Sequence, residues 1–214
     1  MRRSTLDNIL VAATATAIAV VLGAATQTFR TAAFDRKVRK AMRARRPRVV
    51  RLARSTSYLA APASHPALAI AASAALTAAR GRLAPAPVLA SLLALAIDRG
   101  ARLFVDQLRP PGARRRTGLE RFGFPSGHTS AGTAIAFATA MEFAKGRSPG
   151  EKAATYLSAG IFAAAVGWSR VALDEHWADD VMGGWAVGVA IASIADLTCD
   201  LWSLAPAEMI EPGL

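Results

Sequence analysis

The sequence predicts an all-α integral-membrane bundle of six transmembrane helices, with a basic interfacial segment between the first and second helices. Three observations carry this. Apolar residues come in long runs without charge, at Ile9 to Gln27 and Ser55 to Ala79. At 19 and 25 residues, both are long enough to cross a hydrocarbon core of roughly 30 Å as helices. No stretch alternates apolar and polar residues as a half-buried strand would.

The chain has 214 residues, a length that suits one domain, taken here as 1–214. It is 53% hydrophobic and 19% charged, with a mean hydropathy of +0.29. A net charge of +11 raises nucleic acid as a partner, but only 7% of residues are aromatic and no nucleic-acid motif appears. The basic residues lie between apolar runs, where cations meet anionic lipid headgroups. The sole cysteine, Cys199, has no partner for an internal disulfide.

Taken in order, the first segment is Ile9 to Gln27. Arg2 and Arg3 precede it as they would a signal peptide, but the run is longer than a signal core and reads as a first spanning helix. Arg30 to Arg54 follows, with eleven basic residues and one acid. Val38 and Met42 stand four apart within it, as on one helix face. This predicts a basic helix lying on anionic lipid, broken by Pro47. The second segment runs from Ser55 to Ala79, with Pro62 and Pro66 near its start. The third runs from Pro87 to Leu108 and carries Asp98, Arg102 and Asp106. A polar loop from Arg109 to Gly123 includes the triplet Arg114, Arg115 and Arg116. The fourth, fifth and sixth segments are Ser126 to Phe143, Ala153 to Trp168 and Val181 to Leu197.

Three clusters carry chemistry, each at the end of an apolar segment. Arg102 and Arg109 are seven apart, which on one helix is two turns and places both guanidinium groups on one face. An arginine in a spanning segment is costly and points to function, with Asp98 and Asp106 as ion-pair partners in the plainer reading. Next come Pro125, Ser126, Gly127 and His128. Proline and serine before an apolar run mark a helix N-terminus with Ser126 as candidate cap, where exposed N–H groups and the dipole favour an anion. Gly127 permits close approach to the backbone, and His128 can exchange a proton near neutral pH. Last come Ser169, Arg170, His176 and Asp180. On a helix, His176 and Asp180 would face each other, so that the carboxylate fixes the tautomer and leaves Nε2 free to attack. Alone, this pair reads equally well as a buried polar contact.

Together the clusters are far more specific. Arg102 with Arg109 and Pro110, then Pro125 to His128, then Ser169 and Arg170 with His176 and Asp180, resembles the signature of the type-2 phosphatidic acid phosphatase superfamily. The resemblance covers 102–180, with one departure: the pattern opens on lysine, where this chain has Arg102. Arginine keeps the charge but differs in length and donor geometry. The resemblance implies a phosphatase acting through a phosphohistidine. His176 is then the nucleophile, held by Asp180, and His128 the acid and later base. Arg102, Arg109, Ser126, Gly127 and Arg170 hold the phosphoryl oxygens. It implies no cofactor, and no grouping with metal-ligand spacing appears in the sequence.

Six apolar spans imply a phosphorylated membrane lipid as substrate, such as phosphatidic acid, phosphatidylglycerol phosphate or a polyprenyl (pyro)phosphate, and a bacterial-type plasma membrane as location. Sidedness is left open. Seven of 26 basic residues fall on the face opposite the signature, which points to a cytoplasmic site, whereas most bacterial relatives face outward. A vanadate haloperoxidase is the rival among enzymes. A non-catalytic lipid-phosphate binder or transporter is the rival from another class, although it has no need of the His128, His176 and Asp180 set. His65 reads as structural or interfacial, and the four tryptophans as interface anchors or core.

Overall fold

The computed structural model describes residues 3–27, 32–114 and 117–203. Arg2, Arg30, Arg115 and Arg116 lie outside the described residues. Among those described there are eight α-helices and one short 3-10 turn. In order they are α1 (Arg3–Gln27), α2 (Ala32–Met42), α3 (Pro47–Leu59), α4 (His65–Arg80), α5 (Ala86–Ala101), the 3-10 turn Gly118–Arg121, α6 (Gly127–Ala144), α7 (Pro149–Ala172) and α8 (Ala178–Trp202).

Six of these answer to the six apolar segments, while α2 and α3 come from the basic stretch. Pro47 separates that pair by opening α3, where its missing N–H costs nothing. The second segment is not one helix. Its first five residues, Ser55 to Leu59, end α3, a turn follows, and α4 starts at His65. The third segment stops short as well: α5 ends at Ala101, and Leu103 to Leu108 are not helical. Two helices are long and apolar enough to cross a membrane by length and composition, α1 over Leu6–Thr26 and α8 over Ala178–Trp202. At 16 residues each, α4 and α5 rise only about 24 Å.

The core is built from small residues. Ala90 and Ala94 of α5 meet Ala131, Ala134 and Ala138 of α6 and Ile191, Ala192 and Ala195 of α8. Small side chains let helices approach closely, the means of packing open to helices in lipid. The tightest seam joins α6 to α8. A Cβ at Gly188 would lie 2.5 Å from Cβ of Thr133 and 2.7 Å from the Ser130 carbonyl oxygen. This seam brings the N-terminal ends of α6 and α8 side by side, where the second and third clusters sit.

At the other end, Nζ of Lys145 lies 2.7 Å from carboxylate oxygens of Glu142, Asp196 and Asp200. Linear spacing did not reveal this carboxylate group, whose oxygens lie within 4.8 Å of one another. Arg80 also pairs with Glu142 at 2.5 Å, and Asn8 of α1 donates to Asp196 at 2.8 Å. With Arg82, 3.5 Å from Glu142, three cations face three carboxylates, and the cluster ties α1, α4, α6 and α8 together.

Candidate active site

Asp180 occupies the third position of α8, where its carboxylate accepts the backbone N–H of Trp177 at 3.0 Å, half of a capping box. The same Oδ2 lies 3.1 Å from Nδ1 of His176. The helix-face expectation for this pair is therefore corrected, because His176 precedes α8 and reaches Asp180 through the cap. Arg109 Nη1 lies 2.6 Å from the other ring nitrogen, Nε2. A guanidinium can only donate, so Nε2 accepts and Nδ1 carries the proton given to Asp180. Both residues are almost wholly buried, at 1% and 0% exposed. Burial, reinforced by Arg109, Arg170, His128 and Arg102, holds the His176 imidazole well below the usual histidine range.

Arg102 and Arg109 converge on this site, but not as two turns of one helix. Arg102 caps the C-terminus of α5, and Arg109 stands on the following loop, held through Nε by the Glu120 carbonyl at 3.0 Å and through Nη1 by the Glu175 carbonyl at 3.0 Å. The two ends of the Arg102 fork meet Asp98 at 2.6 Å and Glu120 at 2.9 Å. Asp106, offered as a second acid for Arg102, makes no ion pair with it. Arg170, near the end of α7, donates to Ser57 of α3 at 2.6 Å and faces Glu175 at 3.6 Å.

Ser126 takes the N-cap position of α6, yet its side chain forms no capping bond. Its Oγ accepts from Thr129 at 3.0 Å, and its backbone N–H donates to the Asp180 carbonyl at 3.0 Å, locking α6 against α8. The close approach that Gly127 permits is made by Asp98, whose Oδ1 would lie 2.7 Å from a Cβ there. A cavity of about 130 Å³ opens between these elements. Arg102, Arg109, Gly127, His128, Arg170 and His176 all line it, together with Asp98 and Glu120. Ser126 and Asp180 do not: both are fully buried behind that wall.

Sequence reading missed a supporting layer. Asp35, the single acid of the basic stretch, is buried and accepts the Asp179 backbone N–H at 3.1 Å, while Oδ1 of Asp179 accepts from Asp180 N–H at 2.8 Å and Gln107 at 2.8 Å. Arg39 of α2 grips Asp174 with both ends of its fork, at 2.5 and 2.8 Å. The Asp174 backbone is left-handed at φ 62°, a conformation that favours short polar side chains. Trp177 Nε1 donates to the Leu108 carbonyl at 2.8 Å, so this tryptophan fastens a loop, whereas Trp202 is exposed as an interface anchor would be. The signal for Asp35 was in the sequence: a lone carboxylate among eleven cations. His65 also lines the cavity rather than standing apart from it.

Residues 84–198, more than half of the chain, match the family model of the PAP2 superfamily. The chain belongs to the PAP2 superfamily. This PAP2 chain is 37% identical over 91 residues to the lipid A 1-phosphatase of Porphyromonas gingivalis, a stretch covering 42% of this chain and 19% of that relative. It therefore spans about a fifth of the relative's length. In fold it resembles the crystal structure of the transmembrane PAP2 type phosphatidylglycerolphosphate phosphatase from Bacillus subtilis. The TM-score is 0.76 at 22% identity, covering 92% of this chain and 98% of the other.

Proposed function

We propose that this chain is a metal-independent lipid phosphate phosphatase of six membrane spans, working through a phosphohistidine on His176. One observation carries the reading: a buried imidazole oriented by Asp180 at 3.1 Å, with Nε2 turned toward the arginine-lined cavity. A binder needs the arginines, but not a deprotonated nucleophile with its orienting carboxylate. The two named relatives, both phosphatases whose names specify a phosphorylated lipid, support the substrate class.

In the first step Arg109 leaves Nε2 and, with Arg102, Arg170 and the Gly127 end of α6, takes the phosphoryl oxygens. Nε2 attacks phosphorus, the bond to the lipid oxygen breaks, and His128 gives its proton to that oxygen. In the second step His128 removes a proton from water, the water oxygen attacks phosphorus, and the P–N electrons return to His176. The developing charge meets fixed cations, of which Arg102 and Arg170 are buried and so act most strongly. The exposed cations of α3 and of the connection from α2 to it, among them Arg45, Arg46 and Arg48, suit anionic headgroups at the membrane surface.

The test is phosphate release by the detergent-purified protein from a panel of lipid phosphates, with EDTA present and His176→Ala alongside. The reading expects release that survives EDTA and disappears in the variant. Equal release by wild type and variant, or none by wild type, would overturn it.

A further inference from the structure

We propose that His65 is a substrate-contacting residue that reads the leaving group of the lipid, hydrogen bonding an oxygen carried just beyond the scissile bond. This rests on the phosphatase reading above. His65 belongs to none of the three motif clusters, yet its side chain is 2% exposed and lines the cavity that holds His128 and His176.

Its orientation is fixed. Nδ1 lies 3.0 Å from Oγ of Ser91, and among the described residues the ring makes no second hydrogen bond. A histidine serving only the core would have both nitrogens satisfied by protein. Here Ser91 takes one, and the other, Nε2, is left to a ligand in the cavity.

Its position is also defined. Ser91, Ala94, Leu95, Asp98 and Arg102 share one face of α5, and the last four line the cavity. Asp98 lies against Gly127 at the level of the phosphoryl cradle. One turn on from Asp98 and from Gly127, Ala94 of α5 and Ala131 of α6 face the cavity, which His65 of α4 also lines. The turn before α4 packs there too, since a Cβ at Gly132 would lie 3.0 Å from Cβ of Ala60. His65 is bonded to Ser91, two turns from Asp98, and lines the cavity with Ala94, one turn from it. It therefore stands between one and two helical turns from the phosphoryl site, roughly 5–10 Å. It shares the cavity with His128, the residue proposed to protonate the leaving oxygen. That spacing fits the next oxygen along the substrate: an acyl ester oxygen of a glycerolipid or the inner phosphate of a lipid diphosphate. A plain alkyl phosphate offers only C–H groups there.

The experiment compares kcat/KM of wild type, His65→Gln, His65→Phe and Ser91→Ala on phosphatidic acid, polyprenyl diphosphate and dodecyl phosphate. Exchange of ¹⁸O between inorganic phosphate and water, which requires His176 but no leaving lipid, is measured on the same samples. We expect His65→Phe to lower the ratio of activity on an oxygen-bearing lipid to activity on dodecyl phosphate by about tenfold. Its activity on that lipid should fall by a similar factor relative to exchange. His65→Gln and Ser91→Ala should shift both ratios in the same direction by less. A loss confined to phosphatidic acid or to the diphosphate names which oxygen is read. Unchanged ratios, whether activity falls evenly or not at all, would overturn the proposal. Wild type that catalyses neither release nor exchange would overturn the phosphatase reading and this one with it.

Discussion

Arg109 Nη1 sits 2.6 Å from His176 Nε2 and so covers the ring atom that Asp180 leaves available. In the proposed mechanism, the resting site thus keeps His176 hydrogen bonded to a cation that the substrate must draw away. An incoming phosphoryl group supplies the stronger acceptor, and the exchange both uncovers Nε2 and fixes the phosphate. Arg109→Ala should lower kcat/KM by about 10²–10³-fold, the usual loss for one preorganised donor to developing charge. Arg109→Lys should recover little of this, since a shorter side chain with one nitrogen does not span the separate positions that Nε and Nη1 reach at the Glu120 and Glu175 carbonyls. Steady-state kinetics on the best lipid substrate checks both.

Arg102 departs from the family lysine, and its fork is divided between Asp98 and Glu120. Arg102→Lys should keep activity within about tenfold, because the charge stays near the cavity while the bidentate geometry is lost. A lysine lacks the spread fork that meets Asp98 with one end and Glu120 with the other, so the 3-10 turn Gly118–Arg121 should lose a tether. Hydrogen exchange across 117–123 should accelerate in the variant. Unchanged exchange there would show that Glu120 does not depend on Arg102.

Asp35 is pushed up to about 7 by burial first and then by the nearby Asp179 carboxylate. The folded value lies above the ordinary 3.8. Its stabilising contribution is therefore fully present below 3.8 and is lost as pH rises through about 7. Docking of α2 on the start of α8 should loosen from about pH 4 to 7 and level off above it, seen as faster hydrogen exchange in Ala32–Met42 after correction for the intrinsic rise of exchange with pH. Asp35→Asn should remove the pH dependence, since an amide cannot ionise.

His176 titrates the opposite way. Its folded value lies well below the ordinary 6.5, so below pH 6.5 the unfolded chain binds a proton that the folded chain refuses. Thermal stability should fall as pH drops through that value, by up to about 1.4 kcal/mol per pH unit for one proton. His176→Gln should flatten this slope in Tm measurements between about pH 5 and 7. The same depression keeps the His176 ring deprotonated, so under the proposed mechanism its protonation should not set the acid limb of the rate profile near pH 6.

Gly188 faces Thr133 and the Ser130 carbonyl across the α6–α8 seam, leaving no space for a methyl. Gly188→Ala should cost about 1–3 kcal/mol through overpacking, visible as a lower Tm. It should also reduce activity, because the same seam holds Ser126 against Asp180. Gly160→Ala, where a Cβ meets nothing within 4 Å, is the control and should leave Tm unchanged or slightly raised.

The apolar runs were enough to read an all-helical chain, and the three clusters pointed to one site, because residue type and spacing survive in a linear string. Helix ends were less legible. The second run looks continuous from Ser55 to Ala79, yet the chain turns between Leu59 and His65. Arg102 and Arg109 seemed to share a helix face, but α5 stops at Ala101. Hydropathy records which residues can be buried and leaves unsaid where backbone hydrogen bonding stops.

By itself the sequence determined the helical class, the basic segment between the first two apolar runs, and the arginine, histidine and aspartate set with its family resemblance. These depend on side-chain chemistry and local spacing. The tertiary structure decided which nitrogen of His176 faces the cavity, which carboxylates hold Arg102, and that Ser126 supports the wall from behind. It also brought Asp35 from the basic segment onto the first turn of α8 and His65 into the cavity. Those placements depend on contacts between residues far apart in the chain, from Ser91 against His65 to Asp179 against Asp35. Such contacts arise only when small residues let α5, α6 and α8 close on one another.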